Sequence, residues 1–297
     1  MSDQSVQIGS LKLKNPVIAA SGTFGFGAEY ADLYDVSRLG AVCTKGLTLR
    51  PREGNPSPRL WETPCGLLNS IGLQNPGIDA FLQQELPRMK AQEIVTVANV
   101  WGERPTEYVE IVERLSESAV DAIELNLSCP NVPGEMLGQQ AKAAGQVVKE
   151  VRKVSKKPLW VKLPPNVRLE VAQAVEEEGA NAVCASNTFR AMAIDIETGK
   201  PVFGRVFAGL SGPAIRPIAL RIVYELVDVL DIPVVGIGGI TTWQDAVAFI
   251  MAGATAVQVG TANFIDPWSA IRIVEGLEEF MRHRRHSNWE EIRGCAH

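Results

Sequence analysis

The segment Asn126-Leu127-Ser128-Cys129-Pro130-Asn131 sets a thiol between two carboxamides, at the end of a β-rich run and just before a glycine-containing stretch, 132–138. A thiol that titrates at about 8.5 in water serves as a general base once nearby cations and dipoles stabilise its thiolate. Cys129 is therefore the candidate base, and 132–138 a candidate lid. Two lysines, Lys45 and Lys162, also fall at the ends of β-rich runs, with no acidic neighbour in sequence. A lysine held at such a place needs a counter-charge, and a ligand that becomes anionic suits it. Carboxamides recur at Asn69, Asn126, Asn131 and Asn187, the last followed by Thr188. Each offers one acceptor and two donors, the complement of a ring edge that alternates C=O and N–H. The four together point to a uracil-like ligand, although asparagine taken singly is also an ordinary turn residue.

Glycines form a further group. Gly236-Ile237-Gly238-Gly239 is followed by Thr241-Thr242, an N-cap signal ahead of a helical run at Ala246, Val247 and Ile250, and Gly260-Thr261 ends the next β-rich run. Bare backbone there lets N–H groups approach a phosphate oxyanion. A phosphate with two lysines fits FMN, whose ring system turns anionic on reduction, and fits a sugar-phosphate substrate nearly as well. Cys43 and Cys184, inside apolar runs, read as small buried side chains.

Eight β-rich runs alternate with helical periodicities and must position these groups: Pro16 to Ser21, Gly40 to Gly46, Ile94 to Val100, Ala122 to Cys129, Pro158 to Pro164, Asn181 to Thr188, Pro233 to Gly239 and Thr255 to Ala262. Their closing residues, Ser21, Lys45, Asn99, Asn126, Lys162, Asn187, Gly238 and Gly260 among them, are far more polar than the runs themselves. A (β/α)8 TIM barrel brings the C-terminal ends of all its strands to one face and carries its chemistry there. The expected fold is thus α/β, a TIM barrel forming a single domain over residues 1–297. Tyr108, Ile111, Val112 and Leu115 behind Pro105, and Val147, Val148, Val151 and Val154, mark two outer helices. Gly-Ala-x-Ala-Val occurs at Gly179 to Val183 and at Gly253 to Val257, each time joining a helix end to a strand. Closing residues lie 22 to 36 positions apart, except for 54 between Lys45 and Asn99 and 51 between Asn187 and Gly238; these gaps mark insertions over the C-terminal face. Val6, Ile8, Leu11 and Leu13 flank a Gly9-Ser10 turn, a hairpin expected to plug the barrel bottom.

Composition narrows the functions. The 297 residues are 46% apolar and 21% charged, ordinary for a globular chain with one large core. A net charge of −5 with no long basic run disfavours nucleic acid as a partner. Five scattered cysteines without a C-x-x-C pair supply neither a disulfide frame nor a zinc or iron–sulfur site, so no metal is expected and the compartment reads as reducing cytoplasm. The start MSDQSVQIGS has no secretory pattern. The longest uncharged apolar stretch, 246–265, is broken by Gly253 and Gly260 and reads as helix, turn and strand, so no membrane is expected.

TKGLTLRPREGNPSPRL, CGLLNSIGLQNPG, NLSCPN, VKLPP, LSGPAI, GIGGI and VGTANFIDP resemble, over nearly the whole chain, the class 1 type B dihydroorotate dehydrogenases, the NAD-linked catalytic subunits. The resemblance implies FMN contacts from Ser21, Lys45, Gly46, Asn99, Asn126, Lys162, Ser186, Gly212, Gly238, Gly239, Gly260 and Thr261. It implies that Lys45, Asn69, Ser70, Ile71, Gly72, Leu73, Asn126, Asn187 and Thr188 hold dihydroorotate, with Asn131 assisting. Cys129 would take the C5 proton while a hydride leaves C6 for flavin N5, in the pathway to UMP, and Lys162 would stabilise the reduced flavin. The resemblance further implies a homodimer within a heterotetramer, whose second subunit carries FAD and a 2Fe-2S cluster and delivers electrons to NAD. The chain has no G-x-G-x-x-G opening of its own for a dinucleotide. Two stretches depart from the family pattern: PGEMLGQQ stands where a glycine-rich, often aromatic loop is usual, and Ser186 where a bulky aliphatic is usual. A dihydropyrimidine dehydrogenase would share the barrel without requiring a substrate carboxylate, and a tRNA dihydrouridine synthase would need a basic surface that −5 does not offer.

Overall fold

Eight apolar runs form short strands in the computed structural model, which describes residues 3–128 and 137–297. They are β1 (Val17–Ala19), β2 (Ala41–Cys43), β3 (Thr96–Val100), β4 (Ala122–Asn126), β5 (Leu159–Lys162), β6 (Ala182–Ala185), β7 (Val234–Ile237) and β8 (Ala256–Val259). Every residue in them is buried, as strands covered on both faces require, and this is why they read as continuous apolar runs rather than alternations. All pairings are parallel and follow chain order. β8 then returns to β1, with Val257 opposite Val17 and Gln258 opposite Ile18, and the sheet closes. With helices alternating around it, this is a (β/α)8 barrel.

The outer helices lie where periodicity placed them. Pro105–Ser116 buries Tyr108, Ile111, Val112 and Leu115 against the strands, and Ala141–Val154 buries Val147, Val148 and Val151, with Val154 half-buried. Each such side chain contributes about 1.5–3 kcal/mol on burial. The Gly-Ala-x-Ala-Val repeat turns out to be a helix stop. Gly179 N–H donates to Glu176 O and Ala180 N–H to Val175 O; Gly253 N–H donates to Ile250 O and Ala254 N–H to Phe249 O. Both are Schellman closures with a left-handed glycine, φ 99° and 97°, after which the apolar run starts the next strand.

The hairpin of Val6–Ile8 and Leu11–Leu13 packs at the N-terminal end of the barrel. Ile8 and Leu13 are fully buried, and Gly9 sits against Asn181, just ahead of β6. The two insertions meet over the opposite end and form one antiparallel sheet. Phe189–Ala191 pairs with Ala208–Ser211, that strand with Gly66–Asn69, and that one with Leu60–Thr63. Among the described residues no helix is long and apolar enough to cross a membrane.

The two helix stops differ in one respect that unfolding can read. A Cβ on Gly253 would lie 2.5 Å from Val227 Cγ1, in the packed interior, whereas one on Gly179 would meet only the flexible Arg152 side chain at 3.2 Å. Both substitutions by alanine carry the cost of a left-handed non-glycine, about 1–3 kcal/mol. In urea unfolding, Gly253→Ala is expected to lose clearly more stability than Gly179→Ala; equal losses would show that the Val227 contact costs nothing.

Candidate active site

A cleft of about 1250 Å³, open mouth included, lies at the C-terminal ends of the strands. Asn99 at the end of β3, Asn126 closing β4 and Lys162 closing β5 line it and are nearly inaccessible to solvent. Parallel register sets Lys162 beside Asn126 on one side and Cys184 on the other. Ser21, Lys45 and Gly46 line the cleft from the segments after β1 and β2, and Ser186, Asn187 and Thr188 from that after β6, where the Ala185–Ser186 peptide is cis. Gly238 and Gly239 follow β7, Gly260 and Thr261 follow β8, and Gly212 enters from the second insertion. The first insertion roofs the cleft with Asn69, Ile71, Gly72 and Leu73.

Ser70 does not line the cleft. It lies one residue past the strand Gly66–Asn69, where its hydroxyl accepts from Asn55 Nδ2 at 3.0 Å and its N–H donates to Arg59 O. It braces the insertion. Cys129, Asn131 and most of the candidate lid, 132–136, lie outside the described residues. The chain leading to them is tightly held. Ser128 Oγ donates to Asn126 Oδ1 at 3.0 Å, and Asn187 Nδ2 donates to Ser128 Oγ at 2.8 Å and to its carbonyl at 3.1 Å.

The glycines separate into two kinds. Gly238 (φ 134°) and Gly239 (φ 70°) are required by the fold itself, since a Cβ would lie 2.6 Å from Ala219 Cβ at the first and 2.8 Å from Gly212 O at the second. At Gly260 the nearest atom to such a Cβ is Ala20 Cβ at an ordinary 3.5 Å, so the space there belongs to the cleft. β8 runs through Thr261 into a short helix, Ala262–Ile265, ahead of the long helix Ser269–Arg284. Loops after strands 7 and 8 together with such a short extra helix are where barrels commonly bind phosphate. The predicted cap is present: Thr242 caps Trp243–Met251 in a reciprocal capping box with Asp245. Asp245 does more, accepting from Thr241 N–H and hydroxyl at 3.0 and 2.9 Å and pairing with Arg216, so one carboxylate ties the loop after β7 to the start of the helix Arg216–Val227. Burial pushes that carboxyl up, yet the Thr241 and Thr242 donors and Arg216 outweigh it and hold it below the ordinary aspartate value.

Beneath the cleft floor lies a carboxylate that the sequence expectations did not include. Glu124, fully buried in β4 two residues before Asn126, accepts from Asn99 Nδ2 at 2.6 Å, Gln258 Nε2 at 2.6 Å and Cys43 Sγ at 3.2 Å. Its one signal in sequence is a carboxylate within the otherwise apolar run Ala122 to Leu125. Cys43 and Cys184 are buried as expected, and both thiols are pushed well up, first by burial and then by the Glu124 charge, against which Lys162 acts. Asn99 Oδ1 is buried without a protein partner, and the Cβ that Gly46 lacks would lie 2.9 Å from it. An orphaned acceptor on the cleft wall, bare backbone at Gly260 and the loops after β7 and β8 fit the ring and phosphate of FMN.

A family model for dihydroorotate dehydrogenase matches residues 4–281. The chain is 53% identical to a protein of Petrotoga mobilis over 99% of both chains, 51% identical to one of Thermoanaerobacter pseudethanolicus over 93% of both, and 48% identical to one of Bacteroides thetaiotaomicron over 99% of both. Each of the three is named dihydroorotate dehydrogenase B (NAD(+)), catalytic subunit.

The position of Asp245 makes its removal measurable. Asp245→Asn removes the Arg216 ion pair and the charge on the acceptor of the Thr241 and Thr242 donors while keeping an acceptor oxygen, and should cost about 1 kcal/mol at neutral pH. Because the folded-state carboxyl is lowered, its stabilisation is fully present above the ordinary aspartate pKa, about 3.9, and is lost as pH falls through the folded value. The stability gap between wild type and variant should therefore close in acid; a gap that persisted unchanged below about pH 3 would show that the charge is not its source.

Proposed function

Since the chain belongs to the dihydroorotate dehydrogenase family, we propose that it is an FMN-carrying catalytic subunit that oxidises dihydroorotate to orotate on the route to UMP. The observation that carries this reading is one cleft lined both by bare backbone and hydroxyls after β7 and β8 and by carboxamides from Asn69, Asn126 and Asn187, with Lys45 and Lys162 also in its lining. The bare backbone suits the cofactor's phosphate. The carboxamides suit a ring edge of alternating C=O and N–H groups, and Lys45 suits the substrate's carboxylate.

FMN, when bound, supplies the acceptor for the hydride that leaves C6 of the substrate. The protein's own work is positional and electrostatic. Cys129 Sγ takes the C5 proton as thiolate, so that the two substrate C–H bonds are broken by two different groups. Ser128, held between Asn126 and Asn187, fixes the point at which the chain enters Cys129. Asn69, Asn126 and Asn187 hold the ring, Asn131 assists, and the buried ammonium of Lys162 favours negative charge above it. The roof sheet over the strand ends restricts water.

The relatives' name, catalytic subunit, supports a separate protein as the outlet for electrons. We assign that partner FAD and a 2Fe-2S cluster passing electrons to NAD, with two copies of this chain pairing inside a heterotetramer in the cytoplasm. None of those groups has a motif in this sequence.

Two measurements test the reading. Anaerobic mixing of the purified protein with dihydroorotate should bleach its flavin, and Cys129→Ala should keep FMN and orotate binding while slowing that bleaching about 10²-fold or more; an unslowed variant would place the base elsewhere. The isolated chain should reduce artificial dyes but almost no NAD until the partner is added, and robust NAD reduction by this chain alone would sink the two-subunit scheme.

A further inference from the structure

Under the cleft, the even-numbered strands contribute one layer of side chains to the barrel interior: Cys43 from β2, Glu124 from β4, Cys184 from β6 and Gln258 from β8. Contacts across the barrel establish the layer, for Glu124 accepts from Gln258 Nε2 and from Cys43 Sγ, and burial and then its charge push the Cys184 thiol up. In a TIM barrel such layers of four are ordinarily filled by bulky branched aliphatics. Here the layer holds no aliphatic side chain and is centred on a carboxylate with no solvent exposure. An aliphatic at position 124 would fill the same space without the desolvation cost of a buried charge. The carboxylate therefore calls for a reason other than packing.

The third contact gives that reason. Glu124 Oε1 accepts from Asn99 Nδ2 at 2.6 Å, and Asn99 belongs to β3 and lines the cleft. With the amide nitrogen committed downward, Asn99 Oδ1 is left buried and unpartnered beside Gly46. Only a purely accepting group at 124 enforces this orientation. A neutral amide there can present its own N–H₂, and Asn99 can then turn over and show the cleft a donor instead. Lys162 stands in the same cleft wall, and its charge and that of Glu124 act in opposite senses on the Cys43 and Cys184 thiols between the strands.

Building on the FMN reading above, we propose that Glu124 is a positioning residue for the flavin: it fixes the Asn99 carbonyl as an acceptor facing the ring, and its buried negative charge lowers the ring's electron affinity against Lys162. Reduction adds two electrons and one proton to the ring system and leaves it with one more negative charge. A fixed carboxylate beneath the floor opposes that charge and a fixed ammonium favours it. Inside the barrel both act through an effective dielectric nearer 20 than 80, so neither is screened away. The pair sets the flavin's potential to a value that neither residue alone would give.

An anaerobic redox titration of the FMN-loaded protein against a reference dye tests this, with Glu124→Gln and Glu124→Asp beside the wild type. The Gln variant, retaining FMN, should shift the two-electron equilibrium at least tenfold toward reduced flavin, about 30 mV, while the Asp variant, which keeps the charge, stays within about threefold of wild type. A Gln variant that retains FMN and does not shift overturns the proposal, and so do equal shifts in Gln and Asp, which would assign the effect to packing. Should Glu124→Gln not fold, the double variant Glu124→Met with Gln258→Leu removes the carboxylate and one donor together, an apolar replacement that barrel cores tolerate better. The same tenfold shift is expected there, and its absence overturns the proposal equally. A wild-type chain that neither carries nor takes up FMN overturns the cofactor reading, and this inference with it, before any variant is compared.

Discussion

The pairing of β8 with β1 closes the sheet, and the site exists only because of that closure. Eight strands of three to five residues each could not separately hold a functional group in place, but a closed parallel barrel fixes every strand end relative to all the others. Asn126, Lys162 and Cys184 are lateral neighbours through the β4–β5–β6 register, although 58 positions separate the first from the last. Slipping β5 by one residue would turn Lys162 toward the helices and Val161 into the barrel. The placement of Lys162, the one lysine buried among the described residues, thus depends on the register of the neighbouring strands β4 and β6 as much as on its own.

The roof obeys a similar constraint. Asn69 faces Gly209 across an antiparallel pair, and Asn69 Nδ2 donates to Gly209 O at 3.1 Å, joining insertions that leave the barrel after β2 and after β6. Gly209 has no room for a side chain there, since a Cβ would lie 2.1 Å from Thr188 Oγ1. Two of the residues expected to hold substrate, Asn69 and Thr188, therefore meet at one glycine, and movement of either insertion is felt by the other. The polar roof is a single element built from two distant segments.

Most of the architecture is legible in the sequence because it follows from local chemistry. Continuous apolar runs mark buried parallel strands, Pro105 and the valines at 147, 148 and 151 mark outer helices, and the long gaps from Lys45 to Asn99 and from Asn187 to Gly238 hold the two insertions. The rim is legible for the same reason: polar residues that terminate apolar runs must gather where the runs end. The turn of Ser70 toward Asn55 and Arg59 is not legible, because those partners lie 15 and 11 positions away and nothing in the local sequence marks them. Glycine shows where bare backbone is but not why. Gly239 and Gly260 look alike in sequence, yet one is bare because Gly212 and Arg216 crowd it and the other because the cleft needs the space.

Glu124 was illegible for a deeper reason. Its partners Asn99, Cys43 and Gln258 lie 25, 81 and 134 positions away, so nothing near Ala122-Ile123-Glu124-Leu125-Asn126 indicates what satisfies it. Left with one partner missing, a buried carboxylate of this kind is strongly destabilising, by about 3–5 kcal/mol. The Gln258 donor comes from β8, the strand whose pairing with β1 closes the barrel. The polar layer is therefore complete only when the sheet is closed, and an open barrel exposes or orphans its central charge. Closure of the fold and placement of the charge beneath the cleft are thereby one structural event, which ties the electrostatics of the site to the stability of the whole chain.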